Sequence, residues 1–168
     1  MKVLERLNKI LEEKKIPSEL TDDGNNLSLM LSKSITGKEI FGDIFYKPFS
    51  ENKADGGYWI FDFEVYDASG LKNESIQDLS IASTITNPVL PSGGYGVRID
   101  DDGESRFLIY RMSLPVRGGE SIEWLTEEMN ECLNVSNAIL KTTAPDLIKV
   151  AEGALSPEEY TEKICSLS

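Results

Sequence analysis

The spacing of apolar and polar residues predicts a helix followed by strands in the first part of the chain. Residues 3–15 place leucine and isoleucine on one stripe of a 3.6-residue period, typical of an amphipathic helix on a flat surface. Residues 27–31 and 40–46 indicate two strands, and Lys47–Gly57 reads as a loop. The clearest strand directs Trp59, Phe61, Phe63 and Val65 to one side. Its other side, expected to meet water, carries Tyr58, Ile60, Asp62, Glu64 and Tyr66.

The middle of the chain predicts a helix and a hairpin. The helix runs from about residue 76 to 85, with Asn73 or Ser75 as its cap and prolines after its end. A glycine-rich turn over 92–96 leads into a strand with apolar residues at alternate positions. Asp100–Gly103 reads as the hairpin turn, because Asp and Gly tolerate left-handed backbone. The return strand covers 106–114.

The last third of the chain is predicted to be helical. A long helix extends from about 120 to 141, and Pro145 fits the first turn of a second, short helix. Ser156 and Glu159 form a capping box, which predicts a final helix holding Tyr160, Ile164 and Leu167.

The order α-βββ-α-ββ-α favours one α+β fold. Strands joined by short turns imply an antiparallel sheet of about five strands, with the helices packed on one face. No repeat or domain-sized linker divides the sequence. We therefore expect a single domain over 1–168, with a helical C-terminal extension from about residue 145.

Charge narrows the expected partners. The 168 residues include 17 Lys+Arg and 29 Asp+Glu, a net charge of −12. The negative electrostatic field of such a chain repels phosphate backbones and anionic lipids, so we expect no nucleic-acid or membrane partner. A basic segment of another protein is compatible with this charge. Solubility alone would also explain the acidity. Neither a signal-peptide core nor a long apolar run is present, which predicts a cytoplasmic protein.

Candidate chemistry is sparse. The sequence has no histidine, which excludes histidine triads and histidine-bound metals. Cys132 and Cys165 are expected to be buried thiols, and the acidic turns lack EF-hand spacing. We therefore expect no metal and no cofactor. A hydrolase that uses the pair Asp62 and Glu64, or a cysteine nucleophile, is kept as a remote alternative.

Several segments resemble YbjN-type proteins. They are Asn87–Pro91 with Gly94–Asp100, Arg106–Leu114, Gly118–Leu125, and Ala144–Gly153 followed by Ser156–Glu159. The resemblance implies the fold of type III secretion chaperones, a homodimer, and a non-catalytic protein that binds other proteins or regulates them. A dedicated chaperone for a secreted protein is the alternative role.

The predicted function is therefore binding of a protein partner through a sheet or helix surface. The candidate residues lie on the water-facing side of the clearest strand: Tyr58, Ile60, Asp62, Glu64 and Tyr66.

Overall fold

The computed structural model describes residues 3–31, 37, 39–50 and 56–166. The helices are α1 (Val3–Glu13), α2 (Asn73–Thr86), α3 (Ile122–Ala151) and α4 (Pro157–Cys165). The strands are β1 (Ser18–Leu20), β2 (Asn26–Leu31), β3 (Ile40–Pro48), β4 (Gly57–Asp67), β5 (Gly94–Ile99) and β6 (Arg106–Val116). A short 3-10 turn over Asn87–Val89 follows α2. Among the described residues, no helix combines the length and the apolarity needed to span a membrane.

The strands form one antiparallel sheet in the order β1-β2-β3-β4-β6-β5. This confirms the predicted α+β class, with six described strands rather than about five. The strand missed by the sequence is β1, whose three residues are too few to show a period. It forms by pairing with β2, where Ser18 lies opposite Leu29 and Leu20 opposite Leu27.

One face of the sheet carries the core. Phe61, Phe63 and Tyr110 are fully buried there, and Val65 is nearly so, which confirms the predicted inward side of β4. Trp59 is only half-buried, because it lies near the end of the sheet. The helices α1, α2 and α3 contact the sheet, and α4 packs on α2.

A glycine on this face makes room for an aromatic ring. Gly42 lies opposite Phe63 in the register of β3 with β4. A Cβ atom added at Gly42 would lie 2.5 Å from Cδ1 of Phe63. Because Phe63 is fully buried, its ring has no free space to move into.

The start of α2 differs from the prediction. The N-cap is Lys72, whose backbone is extended and whose side chain makes no capping hydrogen bond. Asn73 is already helical, and its Oδ1 accepts a hydrogen bond from Arg106 at 3.2 Å. The Asn73 side chain, which the sequence suggested as a cap, therefore binds strand β6 instead of the helix backbone.

Pro145 does not begin a new helix. It lies inside α3, which continues for 30 residues from Ile122 to Ala151. Proline removes one backbone hydrogen bond, but Ala144, Leu147 and Ile148 are buried around it and hold the helix against the core. The break expected at residue 145 is therefore wrong. The capping box of Ser156 and Glu159 at the start of α4 is confirmed, and Leu167 lies outside the described residues.

Replacing Gly42 by alanine tests the packing of Phe63. We expect Gly42→Ala to lower the free energy of unfolding by about 1–3 kcal/mol, because the added methyl overpacks a closed core. Urea denaturation measures the change. Gly96→Ala is the matched control, since a Cβ there meets no atom within 4 Å. Equal effects of the two substitutions would contradict this account of Gly42.

The buried tyrosines predict a loss of stability at alkaline pH. Burial raises the pKa of Tyr95, Tyr110 and Tyr160 above the ordinary value. A folded-state pKa above the unfolded value gives stability that is complete below about pH 10 and is lost as the pH rises further.

Tyrosinate absorbance and far-UV circular dichroism should therefore change together above about pH 10. Tyr95→Phe should make the decline shallower, because one raised pKa is removed. Complete tyrosine ionisation with an unchanged dichroism spectrum would show that these rings are not buried.

Candidate functional site

The side of the sheet opposite the helices, here called the open face, is the candidate site. Its apolar side chains come from four strands, and its charged side chains form a cluster between them. The apolar members are Met30, Phe41, Phe45, Ile60, Phe107 and Ile109. The charged members are Asp43, Asp62, Glu64, Arg98 and Arg111.

Strand register places two aspartates side by side at the centre of the open face. Asp43 lies directly opposite Asp62, and Asp62 lies directly opposite Arg111. Like charges in such a pair repel each other. The repulsion is offset because Arg111 donates to Oδ2 of Asp62 at 2.5 Å and the Ser28 hydroxyl donates to Asp43 at 2.6 Å.

Arg98 connects the edge strand β5 to the same cluster. It forms ion pairs with Glu64 and, at 2.8 Å, with Asp100. A second guanidinium nitrogen lies 3.8 Å from Oδ2 of Asp62. Burial works against the charge of Arg98, but the bonds to Glu64 and Asp100 outweigh it and raise its pKa. Its guanidinium also lies 5.1 Å from the Phe107 ring centre, within range of a cation–π contact.

Asp62 is not the water-facing carboxylate that the sequence predicted. It is only 9% exposed. Its Oδ2 atom binds the two arginines, but its Oδ1 atom is buried and has no hydrogen-bond partner in the part of the chain that the structure describes. A buried acceptor without a donor is costly, so this atom lowers the stability of the fold.

Apolar side chains remain exposed around the charges. Phe41 is 54% exposed, and it lies directly opposite Glu64. Further along the sheet, the Tyr58 and Phe49 rings meet edge to face with their centres 4.8 Å apart, and both are exposed. Ile60 is half-buried between these two aromatic groups. A surface with several large apolar side chains around polar groups is typical of an interaction site.

Of the five predicted site residues, the structure brings four together. Tyr58, Ile60, Asp62 and Glu64 share the open face, but Tyr66 does not.

A β-bulge at residue 65 explains the position of Tyr66. It shifts the register so that Tyr66 lies opposite the fully buried Leu108. Tyr66 is therefore on the helix side, where burial and then the charge and hydrogen bond of Glu152 raise its pKa. The predicted orientation of Tyr66 was wrong, because a period of two cannot foresee an inserted residue.

The described residues offer little for catalysis. Asp62 and Glu64 are each held by arginine rather than poised as an acid and a base. Burial raises the pKa of the Cys132 thiol, and the charges of Glu128 and Glu131 raise it further. A raised pKa makes a cysteine less reactive at neutral pH.

The two cysteines do not form a disulfide. Cys132 is half-buried, but Cys165 is exposed, which corrects its predicted burial. Among residues 3–31, 37, 39–50 and 56–166, no group of three His, Cys, Asp or Glu side chains is arranged to hold a metal ion.

The sequence analysis missed most members of the open face, among them Phe41, Arg98 and Arg111. Arg98 and Arg111 alternate with the buried Tyr95 and Tyr110 in predicted strands, so the signal for their side of the sheet was present. Phe41 lay in a predicted strand as well. What the sequence lacked was the register that sets these side chains beside Asp62 and Glu64.

Comparison with known proteins gives a likeness in structure but not in sequence. No protein-family model matches the chain, and no curated protein matches it. A crystal structure of YbjN from E. coli, proposed to be a transcription regulator, is similar over 82% of this chain and 88% of its own, with 12% identity and a TM-score of 0.48. Those values do not place the chain in that family.

Removal of the Asp62 charge tests the cluster. We expect Asp62→Asn to lower the free energy of unfolding by about 1–2 kcal/mol, because Arg111 loses its ionic partner while remaining half-exposed to water. Chemical denaturation measures this loss. The control is Asp43→Asn at the exposed neighbour, expected to change stability by less than about 0.5 kcal/mol. A neutral or stabilising Asp62→Asn would mean that repulsion from Asp43 dominates the site.

Proposed function

We propose that the protein is a non-catalytic binding domain, and that its open face docks an extended segment of another protein. The segment would carry apolar residues together with Lys or Arg. One observation carries this proposal: the exposed Phe41 lies directly opposite Glu64 and beside the exposed Asp43, in a cluster where two arginines face three carboxylates. An apolar contact and a charged hydrogen bond are thus offered at neighbouring positions.

The central part of the open face has the dimensions of an extended segment. From β2 to β6 and from Tyr58 to Glu64, it measures about 14 by 20 Å. An extended segment of about six residues would span it.

Charge favours a basic segment. The chain carries a net charge of −12, and the acidic turn at Asp100–Glu104 follows directly after β5. Within the open face, Arg98 and Arg111 neutralise only part of the charge of Asp43, Asp62 and Glu64. A segment with Lys or Arg therefore gains from the long-range field during approach and from the more exposed Asp43 and Glu64 once bound. A dedicated secretion chaperone would be a special case of this function.

A random peptide library displayed on phage and selected on the wild-type protein tests the proposal. We expect the selected peptides to combine Lys or Arg with apolar residues. Their affinity should fall about tenfold for Phe41→Ser, because an exposed aromatic at the centre of contact is lost. Fluorescence anisotropy with labelled peptides gives the dissociation constants.

Ile81→Ser is the control, since Ile81 is 49% exposed but lies on helix α2. Asp62→Asn should reduce the preference for basic over neutral peptides. Peptides that bind Phe41→Ser as tightly as the wild-type protein, or a selection that yields acidic peptides, would refute this function.

A further inference from the structure

A second concave surface lies in the helical layer, away from the open face. It is an apolar groove of about 700 Å³ between the 3-10 turn, the middle of α3, and α4. This helical groove includes Val89, Leu90, Ala138, Ile139, Tyr160 and Ile164 in its lining. Its volume falls within the range of about 300–1,000 Å³ that is typical of small-molecule sites.

The polar groups beside the groove are already paired. The Tyr160 and Thr86 hydroxyls lie 2.5 Å apart, and the Thr143 and Tyr95 hydroxyls lie 2.7 Å apart. With these hydroxyls occupied, the inner wall offers a ligand mainly carbon atoms. Val89 leaves apolar surface in contact with water at the opening, because it is 49% exposed. A hydrocarbon chain would cover that surface.

Two lysines share one carboxylate at the rim of the groove. Asp146 accepts hydrogen bonds from Lys163 of α4 at 2.5 Å and from Lys149 at 3.0 Å. Burial opposes ionisation of Asp146, but the two lysines outweigh it and lower its pKa, so the carboxylate is charged at neutral pH. Within this group of three, the two ammonium charges exceed the one carboxylate charge, and α4 also carries Glu158, Glu159 and Glu162.

We propose that the helical groove binds a free long-chain carboxylic acid, with its tail along Ala138 and Ile139 and its carboxylate at Lys163. An apolar trough with two lysines at one end offers this class of amphiphile both carbon surface and a partner for its carboxylate. A neutral lipid would leave the charge of the rim unused. A phospholipid bilayer is disfavoured because the apolar surface lies in a concave groove that a flat membrane cannot enter.

Fluorescence titration with dansyl-undecanoic acid tests the site, followed by displacement with dodecanoate, tetradecanoate and hexadecanoate. We expect saturable binding of one molecule per chain. Each added methylene should tighten binding by up to about fourfold until the groove is filled. The methyl esters should bind about tenfold more weakly than the acids, because they lack the charge that meets Lys163.

Two variants locate the ligand. Ala138→Trp fills the groove from an exposed position and should weaken binding by about tenfold or more. Ser80→Trp, at an exposed position of α2 outside the groove lining, is its control. Lys163→Gln should weaken binding of the acids but not of their methyl esters, whereas Lys141→Gln on the same helix as Asp146 should change neither.

Wild-type affinity in Ala138→Trp would overturn the proposal, as would equal affinities for the acids and their esters. Co-sedimentation with phosphatidylglycerol vesicles in the absence of binding to the free acids would also overturn it. The peptide-binding variant Phe41→Ser should bind the acids normally, so failure of the open-face function and failure of this one are separable.

Discussion

The structure depends on the burial of one row of aromatic side chains in the sheet. This row makes one face of the sheet apolar, and the helices cover that face. Phe61, Phe63 and Tyr110 are fully buried on adjacent strands. Each buried aromatic contributes roughly 2–3 kcal/mol of hydrophobic stabilisation. Their neighbours along each strand must then point the other way. The core thereby determines which residues are presented on the open face.

That constraint explains why the open face mixes exposed apolar groups with paired charges. Asp62 lies between Phe61 and Phe63 in sequence, so its position in the middle of the sheet is fixed. The side chains of the neighbouring strands then shield it from water. Arg98 and Arg111, from strands distant in sequence, compensate its burial. One carboxylate oxygen of Asp62 stays buried without a donor in the described chain, which is a stability cost beneath the proposed docking surface. Costs of this kind are typical of binding sites.

Individual elements show which parts of the structure the sequence pattern predicts. Alternation in β4 placed Tyr58, Ile60, Asp62 and Glu64 correctly on one side, because side-chain direction in a strand is a local property. It failed at Tyr66, where a bulge depends on pairing with β6. Local helix propensity failed at Pro145, because tertiary packing preserves a helix that the proline alone would end.

The sequence by itself determined the α+β class, the buried side of the main strand and the acidity of the chain, since periodicity and charge are local properties of the sequence. Tertiary structure alone decided the strand register, the pairing of Asp62 with Arg111, and the groove between α3 and α4 with its lysines. The physical reason is that these features join residues far apart in sequence. Their distances are set by packing of the whole core rather than by any local pattern.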